Sequence, residues 1–254
     1  VAVSGIILIA LLTMAGFAWY IYYETHREIY LGSEAYQIQK GSSLRDFAKE
    51  LETRRVITRH WPLLTWAVYR GETRKVQAGE YRFDGVSSLA KILHRVVTGQ
   101  VVTYPTTFIE GWTFAEMRKA LESADHLLSD SVGLSDREIL AAIGSDYGHP
   151  EGLFFPDTYY SARGYSQLSM LSRAYQAMEA KLAYSWARRK PGLPLVGPYE
   201  ALILASIIEK ESGADEERAR ISGVLTNRLR QNMPLQVDPT IIYGLGPDFD
   251  GNLR

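Results

Sequence analysis

The residues best suited to chemistry lie in one run, Tyr199 to Ser212, which reads Y-E-A-L-I-L-A-S-I-I-E-K-E-S. From Ala201 to Ile208 it is apolar on nearly every side, the pattern of a helix buried in a domain core. Three charged residues, Glu209, Lys210 and Glu211, then arrive together. At about 100° per residue, Glu211 falls in line with Leu204, Ile207 and Ile208, so its carboxylate extends the most apolar stripe. Glu209 falls nearer Leu202 and Ala205, and Lys210 nearer Ile203. A carboxylate flanked by apolar side chains has its charged form disfavoured, which suits a general acid working near neutral pH. The pattern therefore predicts Glu211 as an acid/base. Periodicity alone fits a solvated last turn of a buried helix at least as well.

Two later motifs add polar groups. V-L-T-N-R-L (Val224–Leu229) reads as a helix end carrying Asn227 and Arg228. P-L-Q-V-D-P-T-I-I-Y-G (Pro234–Gly244) places Gln236, Asp238, Thr240 and Tyr243 in one loop-to-helix turn. Such side chains suit hydrogen bonding to sugar hydroxyls and N-acetyl groups, whereas a purely structural turn accounts for Pro239 and Gly244 alone.

These groups must be positioned by the rest of the chain. The segment Val1 to Tyr23 has no charged residue and ends in Trp19, Tyr20, Tyr22 and Tyr23. As a helix it spans about 34 Å against a bilayer core of roughly 30 Å, and its aromatic end suits a membrane–water boundary. A cleaved signal peptide should be shorter and end in small residues. We expect residues 1–23 to be a transmembrane anchor and 24–34 a polar tether. A strand–turn–helix pattern then occurs twice. Tyr36–Gln39 alternates, Lys40-Gly41 turns, and Ser43 caps a helix carrying Leu44, Phe47, Ala48 and Leu51. Thr107-Phe108-Ile109 is expected as a strand and Glu110-Gly111 as a turn, and Thr113 with Glu116 forms a capping box. Between them come a strand at Gly79–Phe83, a helix opened by Ser87 and a short helix over Trp61–Tyr69. The expected fold class is α+β.

Composition removes several functions. With net charge -1 there is no basic excess for a nucleic-acid backbone. Cysteine is absent, and the five histidines show no metal-ligand spacing. The chain has no G-x-S-x-G, P-loop or G-x-G-x-x-G motif. Asp248-Phe249-Asp250-Gly251 is only a fragment of a calcium-loop pattern.

The succession S-I-I-E-K-E-S, N-R-L and L-Q-V-D-P-T-I-I-Y-G-L-G resembles the endolytic murein transglycosylases of the MltG (YceG-like) family. A-G-E-Y-R-F (Ala78–Phe83), Ile109-Glu110-Gly111 and E-G-L-F-F-P-D-T-Y (Glu151–Tyr159) agree in order. The resemblance implies an N-terminal transmembrane helix, a small LysM-like subdomain over 35–105, and a mainly helical catalytic domain over 106–254. It implies a single-pass protein of the inner (cytoplasmic) membrane with its catalytic domain on the periplasmic or extracytoplasmic side. The implied reaction is non-hydrolytic cleavage of the MurNAc–GlcNAc bond of peptidoglycan, leaving 1,6-anhydro-MurNAc ends.

The family's catalytic glutamate, the one followed by Ser or Thr, falls on Glu211-Ser212, with Glu209 its nearest rival. The expected substrate-binding set is Glu209, Ser212, Asn227, Gln236, Asp238, Thr240, Tyr243 and Asp157, with no metal or cofactor. Expected partners are glycan strands, the membrane, and peptidoglycan synthases or division proteins. The family continues past the point corresponding to Arg254 through a G-L-P-P-G-type stretch, so the cleft is expected to be incomplete here. Two rival readings stand beside this one. A hydrolytic muramidase would need a second carboxylate, for which Asp238 and Asp157 are candidates. A non-enzymatic wall-binding or divisome scaffold would have no use for Glu211.

Overall fold

The computed structural model describes residues 2–32, 34–83 and 85–246, so the calcium-loop fragment at 248–251 lies outside the described residues. The chain divides into two compact units. One comprises Val1–Tyr104 with Ser161–Arg163, and the other Pro105–Tyr160 with Gly164–Arg254.

The first unit begins with α1 (Ala2–His26), the one helix among the described residues long and apolar enough to cross a membrane. Its side chains from Val3 to Trp19 are exposed, but Ile21 and Thr25 are buried. Phe17 and Tyr20 stack on Trp61, at 5.9 and 5.7 Å between ring centroids. There follow β1 (Ile29–Tyr30), β2 (Ala35–Ile38), α2 (Leu44–Thr53), α3 (Trp61–Arg70), β3 (Gly79–Arg82), β4 (Val86–Ser87) and α4 (Leu89–Thr98). β2 pairs antiparallel with β3, Ala35 opposite Arg82 and Ile38 opposite Gly79, and β1 pairs antiparallel with β4.

The period of two along β2 sends Tyr36 and Ile38 into the core. On α2, Leu44, Phe47, Ala48 and Leu51 form the buried face. Ser43 caps α2 as the sequence predicts, and Asp46 returns the bond to the Ser43 N–H, which makes a capping box. Burial of side chains such as Leu63, Tyr81 and Ile92 stabilises the unit by about 1.5–3 kcal/mol each. Ile29 and Leu31, within the stretch read as a tether, are buried in this same core. Ser88, not Ser87, caps α4, accepting from Lys91 N–H, because Ser87 is held in β4.

The second unit contains all but the first residue of β5 (Tyr104–Thr107), α5 (Phe114–Glu122), β6 (Leu127–Leu128), α6 (Asp136–Ala142), all but the last residue of β7 (Thr158–Ser161), and β8 (Tyr165–Ser166). Four helices complete it: α7 (Gln167–Ala187), α8 (Pro198–Glu211), α9 (Asp215–Arg230) and α10 (Asp238–Leu245). β5 pairs with β7, and β6 runs parallel to β8. The strand expected over Thr107–Ile109 lies earlier, at Tyr104–Thr107. Phe108 is buried just past the strand, its N–H donating to the Asp157 carbonyl at 3.0 Å. Its apolar side chain marks the core, and burial there does not require a strand. Thr113 and Glu116 form the expected capping box at the start of α5, whose Phe114 stacks on Phe154 at 5.0 Å.

A small separate cluster, Leu204, Ile207 and Leu225 with Ile208, Ile221, Leu229, Leu235 and Val237, joins α8, α9 and the loop before α10. The all-round burial expected for α8 is not found. Leu204 and Ile207 are buried, but Ile203 is 46% exposed, so the helix is two-faced. The architecture is mixed helix and strand, with helices dominating the second unit.

Candidate active site

The C-terminal turn of α8 carries the three charged residues. Glu209 is half-buried and ion-paired with Arg218 of α9 at 3.1 Å; Arg218 also lies 3.4 Å from Asp215. The turn after β5 approaches it. A Cβ built on Gly111 would lie 3.9 Å from Glu209 Oε1. That leaves room for a methyl group, but Gly111 has φ +76°, which disfavours any other residue. Lys210 is exposed, and its charge helps hold the Glu116 carboxyl below the usual range. The larger causes there are the backbone and then the side-chain hydrogen bond of Thr113.

Glu211 is the last residue of α8 and is exposed. The apolar flank expected for it is therefore absent, and low polarity around its carboxylate has no support in the geometry. A helical stripe sets the direction in which a side chain points, not how far the facing partner extends. The cluster covering Leu204, Ile207 and Ile208 ends one turn before Glu211. Ser212 closes the helix, its N–H donating to Ile208 O at 3.0 Å and its hydroxyl to Ala214 O at 2.6 Å. Ser212 thus shapes the α8–α9 turn.

The remaining expected residues divide by position. Leu235 and Val237 pack on the α8–α9 cluster, which seats Gln236, Asp238 and Thr240 on the loop and first turn beside it. Asp238 and Pro239 open α10, where a carboxylate complements the helix N-terminus and proline needs no N–H partner. Thr240 donates back to Val237 O at 2.7 Å. Asn227 is exposed and accepts from Arg230 at 3.1 Å. Tyr243 Oη lies 3.3 Å from His149 Nδ1. Burial first, then the charge of Glu151, pushes the Tyr243 hydroxyl up from its usual pKa. Asp157 stands apart. It is exposed and accepts from its neighbour Thr158 N–H, and no hydrogen bond or ion pair among the described residues links it to α8 or α10.

Two structural contributors lie outside the expected set. Arg228 Nη1 donates to Pro234 O at 3.0 Å, Leu235 O at 2.6 Å and Gln236 Oε1 at 3.2 Å, clamping the loop that presents Gln236 and Asp238. It also faces a residue in an uncommon backbone state, since Gln236 has φ 52°. The N-R-L motif contained this signal, a guanidinium a few residues before a loop rich in carbonyls. Glu151 Oε2 accepts from Phe114 N–H at 2.9 Å and so caps α5 across 37 residues, a pairing that local pattern does not announce. Among the described residues, no three His, Cys, Asp or Glu side chains are grouped to hold a metal ion.

The model of the YceG-like family matches residues 36–254. The chain is 26% identical over 232 residues to a protein of Bacillus subtilis (strain 168) named endolytic murein transglycosylase, covering 84% of this chain and 63% of that protein. It is 28% identical over 241 residues to a protein of the same name from Streptococcus pneumoniae (strain R6), covering 91% of this chain and 38% of that protein. The chain thus spans less than two thirds of the length of either relative. A yceG-like protein of Listeria monocytogenes, known from a crystal structure, aligns with a TM-score of 0.45 at 22% identity, covering 87% of this chain and 78% of that one. By the match of its residues 36–254, the chain belongs to the YceG-like family.

Proposed function

We propose that this protein is a single-pass, inner-membrane-anchored endolytic lytic transglycosylase, cleaving the MurNAc–GlcNAc bond within peptidoglycan strands from the extracytoplasmic side. The observation that carries the reading is Glu211. A carboxylate stands exposed at the end of α8, on the structural unit where the loop bearing Gln236 and Asp238 is seated. The names of the two transglycosylases similar to this chain support the substrate class.

Glu211 is the acid/base in this reading. Its carboxylic acid donates a proton to the glycosidic oxygen as the bond breaks and positive charge develops at MurNAc C1. The resulting carboxylate takes the proton from the C6 hydroxyl as that oxygen closes onto C1. Atoms balance without water, and the product is a 1,6-anhydro ring. Exposure in the free protein fits a polymeric substrate, because a bound glycan strand itself displaces water from Glu211 and supplies the apolar cover the fold lacks. Glu209 is less available for this role, since Arg218 already engages its carboxylate. Asn227, Gln236, Asp238, Thr240 and Tyr243 are read as contacts to sugar hydroxyls and acetamido groups, with Glu209 and Ser212 shaping the turn. α1 is the anchor, and the first unit's paired strands and helices a LysM-like wall-binding module.

A hydrolytic muramidase needs a second carboxylate about 5–5.5 Å or 6.5–9.5 Å from the first. Asp238, on the first turn of α10 next to the α8–α9 cluster, is the candidate, because no hydrogen bond or ion pair among the described residues links Asp157 to α8 or α10. The mass of the products separates the two reactions, since anhydro ends are one water lighter than hydrolytic ends. Anhydro ends from the full-length protein on purified glycan strands are expected. Hydrated ends alone favour the muramidase, and no cleavage favours a scaffold.

A further inference from the structure

In the first unit a cleft of about 590 Å³ opens beside the end of α1, within the size range of small-molecule sites. Arg70, Lys91 and Arg95 line it together with His26 and His94, and Trp66 forms an apolar wall. Of its two acidic side chains, Glu72 is already paired with Arg70 at 3.3 Å, and Glu28 is the other. Arg95 is held against an aromatic ring. Its guanidinium lies over the Phe83 ring, 5.2 Å from the centroid, and its Nε is buried with no hydrogen-bond partner among the described residues. A buried donor left unpaired is costly. Lys91, one turn earlier on α4, is exposed and has no ion-pair partner among the described residues.

Depth along the anchor narrows the ligand. The aromatic end of α1 finishes at Tyr23, and His26 lies three residues further, about 4.5 Å along the axis. The headgroup layer occupies about 5–7 Å of each leaflet beyond the hydrocarbon. On the anchored reading of α1 the cleft therefore opens close to the bilayer surface. Its surroundings suit that position. Val86 at the rim is 57% exposed, its cross-strand partner Tyr30 76% and Tyr69 of α3 79%, aromatic and apolar groups of the kind found at a bilayer boundary.

We infer that this cleft holds the phosphodiester of an anionic phospholipid headgroup, with Arg95 and Lys91 as its donors. Arginine provides the planar fork that matches phosphate oxygens, and lysine a movable charge. The bound lipid would fix the first unit against the membrane surface. The inference rests on the anchored reading of α1.

The test is native mass spectrometry of the full chain in a neutral detergent, titrated with phosphatidylglycerol, phosphatidylcholine or inorganic phosphate. The wild type should retain phosphatidylglycerol about tenfold or more tightly over phosphatidylcholine. Lys91→Gln, at an exposed position without an ion-pair partner among the described residues, should weaken retention severalfold, and Lys91→Gln with Arg95→Gln should abolish the preference. Equal retention of the two lipids, or a preference that survives the double substitution, overturns the inference. Displacement of the lipid by inorganic phosphate at equal concentration overturns the lipid as source and leaves a simple anion site. Carbonate washing of the membranes separates the two readings. Release of the chain removes the anchor itself, whereas a resistant chain without lipid preference defeats this inference alone.

Discussion

Replacing Arg228 with methionine keeps the aliphatic stem but removes the guanidinium that grips Pro234, Leu235 and Gln236. The bond to Leu235 O is part-buried and 2.6 Å long, so its loss costs about 1.5 kcal/mol as a charge-assisted bond. The two exposed bonds together add about 0.5 kcal/mol. A total of about 2 kcal/mol corresponds to about a 30-fold rise in local opening. The effect should concentrate in the loop and α10, because the guanidinium's hydrogen bonds among the described residues all go to that loop. Hydrogen exchange followed by mass spectrometry checks this, with faster exchange by about that factor over 235–245 and wild-type rates in α2 and α4. Glycan cleavage should fall in step, since Gln236 and Asp238 lose their support. Unchanged protection in α10 would refute the idea that Arg228 positions this loop.

Leu225 is 2% exposed at the centre of the α8–α9 cluster, so Leu225→Ala should cost about 3 kcal/mol in urea unfolding, and a loss under about 1 kcal/mol would mean the cluster is not what joins these helices. Burial, and then the charge of Asp157, pushes the Tyr159 hydroxyl up to about 12. A raised folded value means the protonated form is held more tightly in the folded state. The stability it contributes is present below pH about 10 and lost as pH rises towards about 12. Tyr159→Phe should remove that alkaline slope in thermal unfolding, and an unaltered slope would place its origin elsewhere. At the acid end, hydrogen bonds from the caps Ser43, Thr113 and Ser135 hold Asp46, Glu116 and Glu138 below the usual carboxylate range. These contributions are present above pH about 4 and lost as pH falls through the folded values. Replacing all three caps with alanine should therefore flatten the acid limb of the melting curve, and an unchanged limb would contradict the assignment.

Local chemistry was legible in the sequence where it depends on near neighbours. The cap at Ser43 follows from a hydroxyl just before an apolar helical pattern, the capping box at Thr113 from a hydroxyl and a carboxylate three residues apart, and the α2 face from the spacing of Leu44, Phe47 and Leu51. The stripe on α8 was legible in direction, since Leu204 and Ile207 do face the cluster. Its depth was not, because the exposure of Glu211 depends on where α9 and the Leu235–Val237 loop stop covering the helix. The strand near Phe108 was misplaced for a related reason. An apolar side chain signals burial, but strand pairing depends on a partner 50 residues away. The clamp by Arg228, the Glu209–Arg218 pair and the Glu151 cap of α5 are choices among many possible partners, settled only by the packed chain.

The central claim is that Glu211 carries the proton. Full-length protein with Glu211→Gln and with Glu209→Gln, assayed on purified glycan strands with products separated by mass, tests it most directly. The amide keeps the shape and removes the transferable proton, so Glu211→Gln should slow formation of anhydro ends by about 10²–10⁴-fold or more with little change in melting temperature. Glu209→Gln should have a milder effect, through loss of the contact with Arg218. Near-wild-type activity in Glu211→Gln together with a dead Glu209→Gln would show that the other glutamate is the acid/base, and full activity in both would remove α8 from the chemistry.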